Sequence, residues 1–369
     1  MNLARRSDDG APGANFLRTE PVPDRAVIIP PPWRSCTESL SHNNLNTHHK
    51  RSKPSRAHST SLTNPSPLPM SPTPQPARWL PFVVLGIGLT AISFGAIFAR
   101  LAQAEGVSSL AVATWRLGFA ALIITPVAFL QSRHELVRLS RKQIGMALAA
   151  GFFLALHFAT WISSLEYTSV ASSTALVTTN PLWIGLASFL IFRETPTRMM
   201  MGGIALSFAG SLFIFWSDSQ TASAGSNPMF GNLLALIGSW CFSAYLLIGR
   251  RLRAGLGLPA YIWLAYGAAA LFLFAASGIG GVELVALSGS AWLVLLAMAL
   301  GPQLLGHTAY NWSLRYVSAT FVAVVTLGEP VGSALMAFII FGEGFAPLQF
   351  VGFSLLLMGI YLAAKGEKG

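Results

Sequence analysis

From Trp79 onward, charged side chains recur only at wide intervals, and the stretches between them are almost wholly apolar. The hydrocarbon core of a bilayer, about 30 Å thick, is crossed by about 20 helical residues, so each stretch is long enough to span it. The segments run approximately over 80–100, 108–130, 144–165, 169–192, 199–216, 229–249, 258–278, 291–312, 318–341 and 346–364. Lipid offers no partner to an unpaired backbone group, and the runs are too long and too uniformly apolar for barrel strands, which leaves helix for each. Only 10% of the 369 residues are charged, against about 25% in soluble domains. A soluble globular fold is excluded.

Residues 1–79 are compositionally distinct, with 13 of the 22 prolines and no apolar run long enough for a core or a signal peptide. They read as a disordered tail. Met70 stands ten residues before the first apolar segment, so translation from Met1 and from Met70 are both open. Cys36 and Cys241 lie in the tail and in an apolar segment, so they build neither a disulfide framework nor a metal cluster.

Positive charge follows the even segments: Arg133, Arg138, Arg141 and Lys142, then Arg193 and Arg198, then Arg250, Arg251 and Arg253, then Arg315, then Lys365 and Lys368. The odd loops hold Arg100 and otherwise Glu105, Glu166, Asp218, Glu283 and Glu343. This asymmetry predicts cytoplasmic termini in a plasma membrane, the inner membrane of a bacterium.

The chain repeats itself at a shift of 149 residues. Ser164, Leu165, Tyr167, Ser169 and Pro181 fall on Ser313, Leu314, Tyr316, Ser318 and Pro330, and Phe189, Glu194, Gly203, Leu206 and Gly210 on Phe338, Glu343, Gly352, Leu355 and Gly359. Each copy holds five crossings, an odd number, so the second enters the membrane from the opposite side. The predicted fold is an all-α polytopic membrane protein of ten transmembrane helices in two inverted five-helix repeats, 80–216 and 229–364, joined by an external linker, 217–228, and closed by a short tail, 365–369. Inverted repeats are a signature of secondary transporters.

The run Leu165, Glu166, Tyr167, Thr168, Ser169 to Asn180, Pro181, then Arg193, Glu194, Thr195, resembles the third-to-fourth helix region of the EamA family in the drug/metabolite transporter superfamily. Glu329, Pro330, then Phe341, Gly342, Glu343, then Gln349, Gly352 and Gly359 resemble that family's closing pattern. The resemblance covers 80–364 and implies a ten-helix carrier of small metabolites, often an exporter, with a central cavity between its halves. In the first copy Asn180 stands where the second has Glu329, so the halves are chemically unequal.

Ionisable groups inside a bilayer are costly, about 2.5–3.5 kcal/mol each on insertion scales, and need a reason. Glu329 and its repeat mate Asn180 fall near the middle of segments nine and four, at the depth where such carriers bind. Gly328 and Gly332 bracket Glu329 with a spacing that admits a close neighbouring helix. Arg116 lies about 12 Å and Glu329 about 18 Å from the outer ends of their segments by helical rise, so an ion pair is sterically possible if the two segments are neighbours. Segment eight carries a polar stripe of Gln303, His307, Tyr310 and Asn311. Segment three has a thinner one in His157, Trp161 and Ser164, and segment four adds Ser169, Ser172, Asn180 and Trp183. Each of these residues is a candidate for substrate or ion contact, with packing between helices as the bland alternative.

The leading function is a secondary carrier of a small organic metabolite, an exporter working by alternating access. At the midplane Glu329 would be able to trade a proton for substrate. An integral-membrane transferase is the rival from another class, but such enzymes cluster His, Asp or Glu at a membrane face, and the buried ionisable set here is scattered over four segments. A passive channel is the third reading. No phosphate-cradling Gly-Lys loop encodes a nucleotide-driven pump. The expectation is no catalytic residue, metal or cofactor, and no nucleic-acid partner, for a monomer or homodimer in the bilayer.

Overall fold

The computed structural model describes residues 77–168, 170–193, 195–219, 226–341 and 347–366. Residues 1–76 of the tail expected over 1–79 and 220–225 of the linker expected over 217–228 lie outside the described residues, as do Ser169, Glu194, Gly342 and Glu343. Every regular element among the described residues is helical.

In chain order these are α1 (Leu80–Ala104), α2 (Ser109–Val137), α3 (Arg141–Tyr167), α4 (Val170–Val177), α5 (Asn180–Ala187), α6 (Arg198–Ser219), α7 (Pro228–Arg253), α8 (Leu258–Ile279), α9 (Gly289–Ser313), α10 (Ala319–Thr326), α11 (Glu329–Phe341) and α12 (Pro347–Gly366). Eight stretches are long and apolar enough to cross a bilayer, the fourth (Ser172–Ile191) and eighth (Ala319–Ile340) each spanning a break; Arg198–Phe213 and Phe350–Gly366 are shorter apolar helices. The protein is integral to a membrane. Side-chain caps start several of the helices. The hydroxyls of Ser108, Ser140, Ser288 and Ser318 accept from backbone N–H groups three residues on, and Ser140 with Gln143 forms a full capping box.

Segments four and nine, expected as single helices, are each broken in the middle. Thr178 and Thr179 separate α4 from α5, and Leu327 and Gly328 separate α10 from α11. Pro181 and Pro330 cause this, because a proline has no N–H to give the preceding turn and clashes with it, yet fits the first turn of a new helix. Threonine hydroxyls add to the backbone bonds just before the first break: Thr178 donates to the Thr174 carbonyl at 2.7 Å and Thr179 to the Leu176 carbonyl at 2.7 Å.

Repeat mates pack against each other. A Cβ on Gly203 would lie 2.6 Å from the Gly359 carbonyl oxygen, and one on Gly210 2.6 Å from that of Gly352, so α6 and α12 touch backbone to backbone. Rising numbers on α6 meet falling numbers on α12, so the two helices run antiparallel. The α2–α8 pair behaves alike. The Thr114 and Ser277 hydroxyls are 2.9 Å apart at one end, and Trp263 Nε1 donates to Thr125 Oγ1 at 3.0 Å at the other.

Candidate functional site

Asn180 and Glu329 are the first residues of α5 and α11, immediately after the two breaks. A carboxylate at a helix N-terminus faces the positive end of the helix dipole. The spacing of Gly328 and Gly332 does admit a close neighbour, which is α1: a Cβ on Gly328 would meet Leu89, one on Gly332 would meet Ser93, and Ser333 Oγ donates to the Ser93 carbonyl at 3.0 Å.

Both residues line one cavity. Its walls are Ile92, Arg116, His157, Trp161, Val177, Thr178 and Asn180 from the first copy and Phe242, His307, Tyr310, Thr326 and Glu329 from the second. About 20 Å³ of it is open to the centre of a water-sized sphere, room for about one water molecule. A larger ligand enters only if the helices move apart.

Arg116 is fully buried, 1% exposed. Its Nε donates to Gln303 Oε1 at 2.7 Å and its guanidinium lies 4.0 Å from the centre of the Phe158 ring, a cation–π contact. The ion pair considered from the sequence does not form. Arg116 and Glu329 share the cavity, but among the described residues no carboxylate pairs with this guanidinium. The π-helical stretch Ala299–His307 in α9 carries Gln303 to Arg116 and His307 to the cavity wall.

His157 is held by its Nδ1–H, which donates to the Gly238 carbonyl at 3.0 Å, and its ring stacks on Phe242 at 4.8 Å between centroids. The rings of His157 and His307 are 6.2 Å apart. Asn180 Oδ1 accepts from the Thr326 hydroxyl at 3.0 Å. Several polar atoms at or just behind this cavity make no hydrogen bond among the described residues: Arg116 Nη1, Trp161 Nε1, Asn180 Nδ2, Gln303 Nε2, His307 Nδ1 and the Tyr310 hydroxyl. Most are donors, and each buried unmatched group costs about 1–3 kcal/mol.

Arg116, His157, Trp161, Asn180, His307, Tyr310 and Glu329 thus meet in one place, with Gln303 directly behind Arg116. Two candidates lie elsewhere. Trp183 packs edge-on against Trp240 at 5.5 Å and donates to Thr179 Oγ1 at 3.3 Å. Asn311 turns from the cavity and donates to the hydroxyls of Tyr245 and Tyr266. Ser164 Oγ shares a hydrogen bond with Ser173 Oγ at 2.6 Å. Sequence reasoning missed Phe158, Phe242 and Thr326. The two rings carry no polar signal, and only the hydroxyl of Thr326, three residues before Glu329, offered one. Among the described residues no three metal-ligating side chains gather.

The chain matches the EamA-like transporter family over 80–216 and again over 229–365. It is 21% identical over 254 residues to the uncharacterized transporter YyaM of Bacillus subtilis (strain 168), covering 68% of this chain and 83% of that one. It is 27% identical over 299 residues to the threonine/homoserine exporter RhtA of Escherichia coli (strain K12), covering 78% and 90%. A solved structure described only as "Crystal structure of protein" shares the fold with a TM-score of 0.62 at 17% identity, over 78% of this chain and 98% of that one. The family and the two named relatives are transporters, not enzymes, and two matched copies fill most of the sequence. The chain belongs to the EamA-like transporter family.

Proposed function

We propose that the protein is a secondary carrier that exports a small zwitterionic metabolite of the amino-acid type by alternating access. One observation carries this reading: Arg116 and Glu329, opposite in charge, face the same cavity and are not bonded to each other. A buried cation and a buried carboxylate held apart are matched by a ligand with a carboxylate at one end and an ammonium at the other. The unmatched donors Arg116 Nη1 and Trp161 Nε1 suit the carboxylate end, and Glu329 suits the ammonium. The export of threonine and homoserine in the name of the relative RhtA fits such a ligand.

Alternating access rests on ten crossings in two inverted halves, 80–216 and 229–364. Eight long apolar stretches with two shorter ones support the number, and the antiparallel packing of α6 on its mate α12 supports the inversion. A two-fold axis lying in the membrane plane relates helices in that way. The positive loops support cytoplasmic termini in a bacterial inner membrane. Among the described residues Glu329 is the one carboxylate lining the cavity, and we assign it the proton that drives export, with Asn180 as its non-titrating mate.

The test uses purified protein in proteoliposomes loaded with L-threonine or L-homoserine. Counterflow of labelled amino acid supports the carrier, and Arg116→Gln abolishes it. Glu329→Gln keeps exchange and loses pH-gradient-driven accumulation. Equal recognition of an amine lacking a carboxylate would sink the zwitterion reading.

A further inference from the structure

Arg116 brings to the cavity a positive charge that the repeat does not duplicate: its mate, 149 residues on, is the fully buried Ala265. Glu329 likewise has only the amide of Asn180 as its mate. Among the described lining residues the cavity therefore holds one permanent cation and one carboxyl that can lose its charge. The other titratable or charged groups facing the pair are His157 of α3, His307 and Tyr310 of α9 and Tyr266 of α8. These are imidazoles and phenols, and none is an anion near neutral pH.

With a zwitterion bound and Glu329 ionised, the charges of Arg116, Glu329 and the two ends of the ligand cancel. A carrier driven by a proton on Glu329 returns with that carboxyl protonated and no substrate, and Arg116 then stands alone. The guanidinium keeps its proton, and an uncompensated charge buried in a bilayer is strongly disfavoured. Return in that form calls for a counter-ion.

Arg116 and Trp161 are built to hold one. They are 1% and 3% exposed and both line the cavity, and Arg116 Nη1 and Trp161 Nε1 make no hydrogen bond among the described residues. Both groups are donors only, so they are matched by an acceptor, and an anionic acceptor bonds a cation more strongly than a neutral one. Gln303 Oε1 on Nε and the Phe158 ring fix the guanidinium in place. Gly95 of α1 puts no side chain against its free edge: a Cβ there would lie 3.7 Å from Nη1 and 3.3 Å from the Trp161 ring. The closed cavity has room for about one water molecule, which suits a monatomic anion far better than an amino acid.

We propose that Arg116 and Trp161 bind a halide ion when Glu329 is protonated and substrate is absent, so that one proton and one halide enter for each zwitterion exported. The inference rests on the zwitterion reading and on Glu329 as the proton site. No net charge crosses in either direction: the zwitterion leaves with Glu329 ionised, and the halide enters with the proton that neutralises Glu329. Substrate carboxylate and halide compete for the same two donors, so each displaces the other.

The test uses proteoliposomes held at zero potential by valinomycin and equal potassium, acidified inside and given labelled L-threonine outside. With chloride on both sides threonine should accumulate. With gluconate, too large for the cavity, accumulation should slow at least tenfold, while threonine counterflow, which never passes through the protonated form, runs equally in both salts. At equal pH, chloride inside against gluconate outside should drive accumulation by itself. Trp161→Phe should raise the half-saturating chloride concentration about tenfold, the loss of one hydrogen bond to a charged group. Accumulation as fast in gluconate as in chloride, none on a chloride gradient alone, or an unchanged half-saturation in the variant overturns the halide site and leaves Glu329 as the proton site. Counterflow without pH-driven accumulation in either salt overturns the halide and the proton site together, and absence of counterflow overturns the carrier as well.

Discussion

Ser207 donates its hydroxyl to the carbonyl of Leu356 at 3.2 Å, and the two residues are 149 positions apart, the period of the repeat. A residue touching its own repeat mate is what the proposed two-fold relation between the copies requires at its axis. The flanking contacts agree: Gly203 meets Gly359 and Gly210 meets Gly352, partners exchanged about that point.

Close approach here depends on missing side chains. A Cβ on Gly210 would lie 2.6 Å from backbone atoms of both Gly352 and Leu356, and overpacking of this kind costs about 1–3 kcal/mol. Gly210→Leu should lower the thermal midpoint in detergent well below that of Gly202→Leu, since Gly202 has open space around it. Equal effects would contradict the crossing.

Removing the Gln303 acceptor leaves the Arg116 Nε buried and unmatched, at about 1–3 kcal/mol. Gln303→Leu should therefore reduce both thermal stability and amino-acid counterflow, and Gln303→Glu should retain stability by charge-assisted bonding to Arg116. Similar stability for the two variants would show that the Arg116–Gln303 bond contributes nothing.

Outside the membrane, Glu105 Oε2 accepts from Ser290 Oγ at 2.7 Å and Ser288 Oγ at 2.8 Å, and these hydroxyls hold its carboxyl below the usual carboxylate range. A lowered folded value means stability that is present above the unfolded value of about 4.3 and lost as pH falls through the folded one. Glu105→Gln should lower the thermal midpoint at neutral pH, and the difference from the parent should vanish under acid conditions. A difference independent of pH would remove the charge from the explanation.

Orientation is checked with cysteines at exposed ends. Ser288→Cys should react with an impermeant maleimide added to intact cells, and Ser140→Cys only after the membrane is opened. The reverse pattern would invert the topology.

The apolar stretches, their helical state, the charge bias and the repeat were legible in sequence because lipid imposes one rule on every crossing: backbone bonds must close locally, whatever the neighbours. Glu329, Arg116 and Asn180 were legible as candidates because charge and amides stand out against Leu and Ala. What surrounds them was not. Only the folded chain turns Asn311 toward Tyr245 and Tyr266 and brings Gln303, not Glu329, to Arg116. Phe158 became the face beneath that guanidinium through the packing of α2 on α3. Each of these choices depends on distances between segments far apart in the chain, and helical periodicity carries no information about which faces meet. Segments four and nine read as unbroken helices in the sequence; that both break before a proline, and that both breaks open on one cavity, is a property of the tertiary structure, because it takes the packing of the two copies to bring Asn180 and Glu329 to the same place.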